Sequence, residues 1–351
     1  MSTQLRVGIV GCGRIASLYE EDPRLSQHFA FATHAKAYAH HPETAIVAAA
    51  DPDPDRRQRF AATWDVGPVY ESAEAMLDAQ RLDVVSVCAA TPAHDAVCLA
   101  AIERRVPAIL CEKPLASDLP RAAHVVEAAA QAGVTLVVNY SRRFSRSYRE
   151  LAQVIAGGSI GTLQAAQGLY SKGLRNHGSH LVNLLLWLAG PIVAIRAEPL
   201  KFPDTAAPDP TLNLWIEFER GFHGALLGTA YSQYKVFELD LVGTEGRLKI
   251  EDDRLSAFKP VEYEALEGVR ALAPAPAPVQ LEMGHAMYDA IDNVVRSLRH
   301  GEAPVMTGRE ALETELVLEA AVWSARDRRR VAIDEVRSSI AAAASGLEVT
   351  Q

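Results

Sequence analysis

Cysteine is scarce. Cys12, Cys88, Cys98 and Cys111 are the only four in 351 residues, and no two form a CxxC pair. That excludes a disulfide framework and points to a reducing, cytoplasmic setting. Long apolar runs are missing too: the longest, Leu181 to Ile195, is interrupted by Asn183, Gly190 and Pro191, and is too short and broken to span a bilayer. The N-terminus has no charged lead followed by an apolar segment and cleavage site; β-rich residues begin at Leu5-Arg6-Val7, so no signal peptide is expected. Basic residues are neither in excess nor clustered. Thirty-five Lys and Arg against 44 Asp and Glu leave a net charge of −9, so neither nucleic acid nor a membrane is an expected partner.

What is present is ordinary globular composition, 49% apolar and 23% charged, at a length that suggests about two domains. Through the first third, continuously apolar runs alternate with helix-like stretches. Leu5 to Val10, Ala45 to Ala50, Val69-Tyr70, Asp83 to Ala89, Ala108 to Cys111 and Val134 to Val138 read as strands, with helical spacing in Pro54 to Trp64, Ala93 to Arg104 and Leu119 to Ala132. Strands apolar on both faces belong to a parallel sheet covered by crossover helices, so the pattern predicts a doubly wound α/β domain. After residue 140 the rhythm changes. Helix candidates at Ser145 to Ala156 and Leu181 to Leu188 flank a strand at Leu163 to Tyr170. Strand candidates then run in succession: Ile192 to Leu200, Leu212 to Phe218, Phe222 to Thr229, Phe237 to Val242 and Arg247 to Ile250. This predicts an α+β domain with a large, mainly antiparallel open sheet. Ala271 to Pro278 reads as an extended connector, and Gly284 to Arg299 and Arg309 to Arg326 as the closing helices.

The first strand runs into Gly11-Cys12-Gly13-Arg14-Ile15-Ala16, a G-x-G-x-x-A turn expected to open a helix. Gly11 allows the tight turn, Gly13 lets backbone approach a pyrophosphate at the helix N-terminus, and Ala16 allows close packing. Asp51, at the end of the second strand, suits the ribose hydroxyls of NAD and repels a 2′-phosphate. Arg56 and Arg57 follow closely and can instead meet that phosphate, which leaves NADP open. Asp51 lies 35 residues beyond Ala16, where about 20 is usual. The excess, Leu18 to Thr33, reads as an insertion before a second helical stretch, Ala35 to His41, and is either a surface loop or a lid.

Cys111-Glu112-Lys113-Pro114 follows the fifth strand. With Gly11-Cys12-Gly13, Thr91-Pro92-Ala93-His94, Gly178-Ser179-His180 and Gly243-Thr244-Glu245-Gly246-Arg247, in that order, the chain resembles the Gfo/Idh/MocA family, the glucose–fructose oxidoreductase and inositol dehydrogenase group, over nearly its whole length. The resemblance implies a Rossmann domain at residues 1–123 and an α+β substrate-binding and oligomerisation domain at 124–351. It also implies a homodimer or homotetramer through the second sheet, whose strands carry apolar residues on both faces. Thr91, Pro92 and His94 are implied to line the loop near the nicotinamide ribose, with Gly11, Gly13, Arg14, Ile15, Asp51, Glu112 and Lys113 completing the cofactor set. Lys113 can donate to a substrate oxygen and ease alkoxide formation.

The family's catalytic stretch usually reads Asp-x-Gly-x-His-x-x-Asp. Here it is Asn176-His177-Gly178-Ser179-His180-Leu181-Val182-Asn183. An amide bonds a hydroxyl but takes no proton, so His180 is left as the acid–base group beside Lys113, with Asn176 orienting substrate. His177, Tyr140 and Arg143 are further candidate substrate contacts, and Tyr170, Lys172 and Arg175 follow by position. His177 and His180 lack a carboxylate or thiol cluster, so no metal is expected. The expected activity is NAD(P)-dependent hydride transfer at a secondary alcohol or ketone of a sugar, inositol, sugar nucleotide or related polyol. Reduction of a ketone or imine, a retained and recycled cofactor, and an NAD-binding protein that has lost turnover all remain open.

Overall fold

The computed structural model describes residues 4–201 and 209–347. Its two compact units comprise residues 1–146 with 283–312, and residues 147–282 with 313–351. The first unit is built on strands β1 (Leu5–Val10), β2 (Thr44–Ala50), β3 (Val69–Tyr70), β4 (Val84–Val87), β5 (Ala108–Glu112) and β6 (Thr135–Asn139). All are parallel, in the order β3-β2-β1-β4-β5-β6. Val7, Ile9, Val84, Val85, Val87 and Ala108 to Cys111 are buried, as expected of strands covered on both faces. The winding reverses between β1 and β4, and the carboxyl ends there border the crevice in which such sheets bind ligands.

The first unit extends past the expected boundary at 123. β6 completes the parallel sheet, and the helix Ala286–His300 returns to the same unit. Val138 N donates to Met306 O at 3.2 Å, and Met287, Ile291, Val294 and Met306 join its core. Long-range packing of this kind leaves no local mark in the sequence.

No regular helix follows the glycine turn directly. Ser17 N bonds Gly13 O and Tyr19 N bonds Arg14 O, both at 3.0 Å, and the chain then departs. It makes a short turn at Leu18–Glu21 and a helix at Pro23–His28, capped by Asp22. It returns as the helix His34–His40, whose first amides continue the interrupted ladder: His34 N donates to Ile15 O (3.1 Å) and Ala35 N to Ala16 O (3.0 Å). The insertion is therefore an excursion out of one helix. Glu20 pins it, accepting from Ala32 N (3.0 Å), Thr33 Oγ1 (3.1 Å) and Lys36 Nζ (2.9 Å).

The second unit holds strands β7 (Leu163–Tyr170), β8 (Ile192–Pro199), β9 (Leu212–Phe218), β10 (His223–Gly228), β11 (Phe237–Gly243), β12 (Gly246–Glu251), β13 (Arg254–Glu262), β14 (Arg270–Ala275) and β15 (Val331–Ala332). They form one sheet in the order β14-β13-β12-β11-β7-β10-β9-β8-β15. Every neighbouring pair is antiparallel except β7 with β10. The expected connector at Ala271 is instead mostly edge strand: β14 pairs with β13, with Pro274 opposite Phe258. An edge tolerates proline because only one side of the strand has to bond. The helix expected from Ser145 starts at Arg146, after a separate turn at Ser141–Phe144, and a third closing helix, Ile333–Leu347, was not anticipated. One face of the sheet is apolar and buried, with Leu214, Ile216, Leu226, Leu239, Leu248 and Ile250. The other leaves Val193, Trp215 and Leu227 exposed.

Candidate active site

The first unit fits a dinucleotide. Gly11 has φ +88, and a Cβ there would lie 2.5 Å from Ala89 N, so the turn presses on the end of β4 and tolerates no side chain. A Cβ on Gly13 would meet nothing within 4 Å, which leaves room above the turn. Arg14 and Ile15 follow, and their carbonyls carry the helical ladder described above. The buried Asp51 carboxylate is oriented by both oxygens, Oδ2 accepting from Cys12 N (2.7 Å) and Oδ1 from Asp53 N (2.9 Å). Its spare lone pairs suit ribose hydroxyls. Arg57 donates to Asp51 O (2.6 Å) and Pro52 O (3.0 Å), and Arg56 pairs with Asp53, so both arginines have partners of their own. Burial first, then the Asp51 charge, pushes the Cys12 thiol up to about 12, so it adds no negative charge beside a pyrophosphate.

Thr91 and Pro92 form a short turn after β4. His94 is buried, its Nδ1 lying 2.7 Å from Pro114 O and its Nε2 2.9 Å from Ala89 O. It thereby staples the loop after β4 to the Glu112-Lys113-Pro114 loop. Lys113 is half-buried at the carboxyl end of β5.

Beside it lies a buried polar chain that sequence reasoning missed. Glu112 Oε1 accepts from His34 Nε2 (2.9 Å) and Asn139 Nδ2 (2.6 Å), and His34 Nδ1 sits 2.7 Å from Ser86 Oγ. Ser86, His34 and Glu112 have the connectivity of a hydrolytic triad, but Ser86 and His34 are wholly buried, so no substrate reaches the hydroxyl. The network is electrostatic. Burial opposes a charge on His34, yet Cys88 and Glu112 outweigh it and push the imidazole up to about 10. Burial likewise opposes ionisation of Glu112, but His34, Asn139 and Lys113 hold its carboxyl below the usual range. The available signal was a lone histidine after a Thr33 cap, too common to single out.

In the second unit, Asn176 and His177 lie in a π-helical turn, Gly173–Gly178, that leads into the helix Ser179–Leu188. His180, half-buried, is in the first turn of that helix. Asn176 O accepts from Ser179 Oγ (2.9 Å), and the His177 ring packs edge-on to Tyr231 and Phe237. Asn183, in place of the second acid, is buried and donates to Thr314 Oγ1 (3.0 Å). Arg175 pairs with Glu315 (3.3 Å) and Glu319 (2.9 Å). Lys172 Nζ lies over the Tyr231 ring. Tyr170 is fully buried, donating to Leu212 O (2.7 Å) and accepting from Leu212 N (2.9 Å), so it braces the sheet. Tyr140 is buried in the first unit, and Arg143 there donates to Glu310 Oε1 (2.6 Å) and Val305 O (3.1 Å). Among the described residues, no group of three or more His, Cys, Asp or Glu side chains is placed to hold a metal ion.

Two family models match the chain, an oxidoreductase-family NAD-binding Rossmann fold at residues 5–140 and the corresponding C-terminal alpha/beta domain at residues 173–333. The chain belongs to the Gfo/Idh/MocA oxidoreductase family. It is 27% identical over 329 residues to the D-apiose dehydrogenase of Paraburkholderia graminis, covering 86% of each chain. It is 32% identical over 263 residues to the myo-inositol dehydrogenase Hyg17 of Streptomyces leeuwenhoekii, covering 75% of this chain and 71% of that one. Among solved structures, the WlbA dehydrogenase of Bordetella pertussis, in complex with NADH and UDP-GlcNAcA, superposes with a TM-score of 0.76 at 21% identity. That match covers 94% of this chain and 98% of that one, a likeness of fold. The chain is thus an oxidoreductase whose first unit is an NAD-binding Rossmann domain.

The His34–Glu112 pair sets a pH dependence for this oxidoreductase. His34 titrates higher folded than unfolded, so its contribution is complete below about pH 6.5 and is lost as pH rises toward 10. Glu112 titrates lower folded, so its contribution is complete above about pH 4.3 and is lost on acidification. Urea midpoints across pH 6 to 10 should fall less steeply in His34→Gln than in wild type. Parallel slopes would remove the charged pair.

Proposed function

We propose that this enzyme oxidises a secondary alcohol of a polyol or sugar with NAD, reversibly. The observation that carries the reading is Lys113 at the carboxyl end of β5, next to Glu112, whose Oε1 accepts from His34 and Asn139, in the unit whose glycine turn and Asp51 fit the dinucleotide. NAD, when bound, supplies the hydride acceptor. The Lys113 ammonium donates to the substrate oxygen and stabilises the negative charge that builds there as the proton leaves. A neutral His180 imidazole takes that proton. Asn176 orients a hydroxyl through its amide. With Asn183 bonded to Thr314 and amides at both acid positions, the proton is assigned to His180. The relatives named for D-apiose and myo-inositol support a polyhydroxylated substrate, and four buried free thiols support a reducing, cytoplasmic setting.

Lys113→Ala and His180→Ala should each lower kcat by about 10²-fold or more in NADH formation with D-apiose or myo-inositol. In His180→Ala, NAD affinity and Tm should stay near wild type. Full rate in either variant removes that residue from the mechanism. Tight NAD binding with no NADH across a broad polyol panel would favour a protein that has lost turnover, the reading that Asn176 and Asn183 invite.

Assembly through the second-unit sheet belongs to the same proposal. Its outer face exposes Val193, Trp215 and Leu227 beside the Arg330–Glu217 pair, and apolar groups left together in water usually mark an interface. Two-fold pairing of identical sheets covers such a face most simply. Light scattering at micromolar concentration should report at least a dimer, and Trp215→Glu should shift it toward monomer. A wild-type mass near 38 kDa would reject the assembly.

A further inference from the structure

A helix start leaves its first N–H groups without intrahelical acceptors. At the π-helical turn Gly173–Gly178, four successive ones meet one three-residue segment from elsewhere in the second unit. Gly173 N donates to Thr211 Oγ1 (3.1 Å), Leu174 N to Pro210 O (3.0 Å), Arg175 N to Asp209 Oδ1 (2.8 Å) and Asn176 N to Asp209 Oδ2 (3.0 Å). The segments approach so closely that a Cβ on Gly173, at φ +84, would lie 2.1 Å from Asp209 Oδ2. Lys172, just before, is also left-handed at φ 66. The side chains of the same stretch are held from the helix Gly308–Asp327, through Arg175 with Glu315 and Glu319 and through Asn183 with Thr314.

The π geometry makes this clamp necessary. A π turn is uncommon and tends to relax to α, and it persists where its surroundings over-determine it. Relaxation by one residue would swing each side chain about 100° around the axis. Asn176 and His177 lie inside the turn and His180 directly after it, so their aim depends on it. Asp209 supplies two of the four acceptors from one carboxylate, and no neutral side chain of that size accepts two N–H bonds as well.

We propose that Asp209, assisted by Thr211, is a positioning residue for the dehydrogenase reaction, holding the π turn in the register that presents Asn176 and His180 to the substrate. This rests on the assignment of His180 to proton exchange. The clamp has no local sequence signature, since Asp209 stands 33 residues beyond Asn176.

The test uses the full chain carrying Asp209→Ala, Asp209→Asn, Thr211→Val, Thr211→Ser or His180→Ala. The substrate is D-apiose or myo-inositol, whichever reduces NAD faster, with and without deuterium at the reacting carbon. Asp209→Ala should lower kcat by about ten- to a hundredfold, leave the KM for NAD unchanged and raise the primary isotope effect, because a misaimed acceptor makes bond breaking slower. Amide exchange at Leu174 to Asn176 should lose protection. Asp209→Asn, with one acceptor oxygen, should be intermediate, and Thr211→Ser should restore what Thr211→Val loses. Loss of protection with unchanged kcat and isotope effect would make Asp209 a cap only and overturn the proposal, as would retained protection. If Asp209→Ala fails to fold, equal rates in the two Thr211 variants overturn it. Full rate in His180→Ala with a slow Asp209→Ala would sink the proton-exchange assignment and leave the clamp standing through Asn176.

Discussion

A carboxylate placed where β5 ends, largely removed from water, has to be paired, and much of the first unit is arranged to pair Glu112. An unpartnered buried charge costs several kcal/mol. His34 and Asn139 meet that demand, and Ser86 in turn meets His34. These residues come from the helix after the insertion, from β6 and from β4, so one ionic group ties three elements together at the edge of the nucleotide cradle. The insertion can be accommodated only because its far end returns His34 to the interrupted helical ladder. Lys113 is the next residue, directly after β5 ends, and in the proposed reaction a group that meets a developing charge is best carried on such a braced element.

The second unit solves a different problem. Its proposed catalytic stretch has amides where the resemblance leads one to expect acids, and the two amides have separate fates. Asn183 is absorbed into packing against Thr314. Asn176 remains half-buried in a turn whose backbone is bonded by a carboxylate from another loop. The carboxylate of Asp209 meets the backbone of that turn, accepting from Arg175 N and Asn176 N.

Much of this was legible in the sequence. Continuous apolar strands announced the parallel sheet, a succession of strand-like runs after residue 140 announced the open one, and the glycine turn, Asp51 and Glu112-Lys113-Pro114 led to the family and to the nucleotide site proposed above. The misses share a cause. The return of Ala286–His300 to the first unit, the His34–Glu112 pair and the Asp209 clamp all join residues far apart in the chain, and nothing in a local window reports them. Pro274 and its neighbours misled because proline argues against a strand everywhere except at an edge. The helix expected directly after the glycine turn is missing because the insertion interrupts its ladder, which resumes 17 residues after Ser17, with His34.

The central claim is that one alcohol oxygen is served by Lys113 and His180. A crystal of the chain grown with NADH and soaked with D-apiose or myo-inositol tests it most directly. Ribose hydroxyls should lie on Asp51, and a single polyol oxygen within hydrogen-bond distance of both Lys113 Nζ and the His180 ring. A polyol bound with its reacting oxygen on neither residue would contradict it.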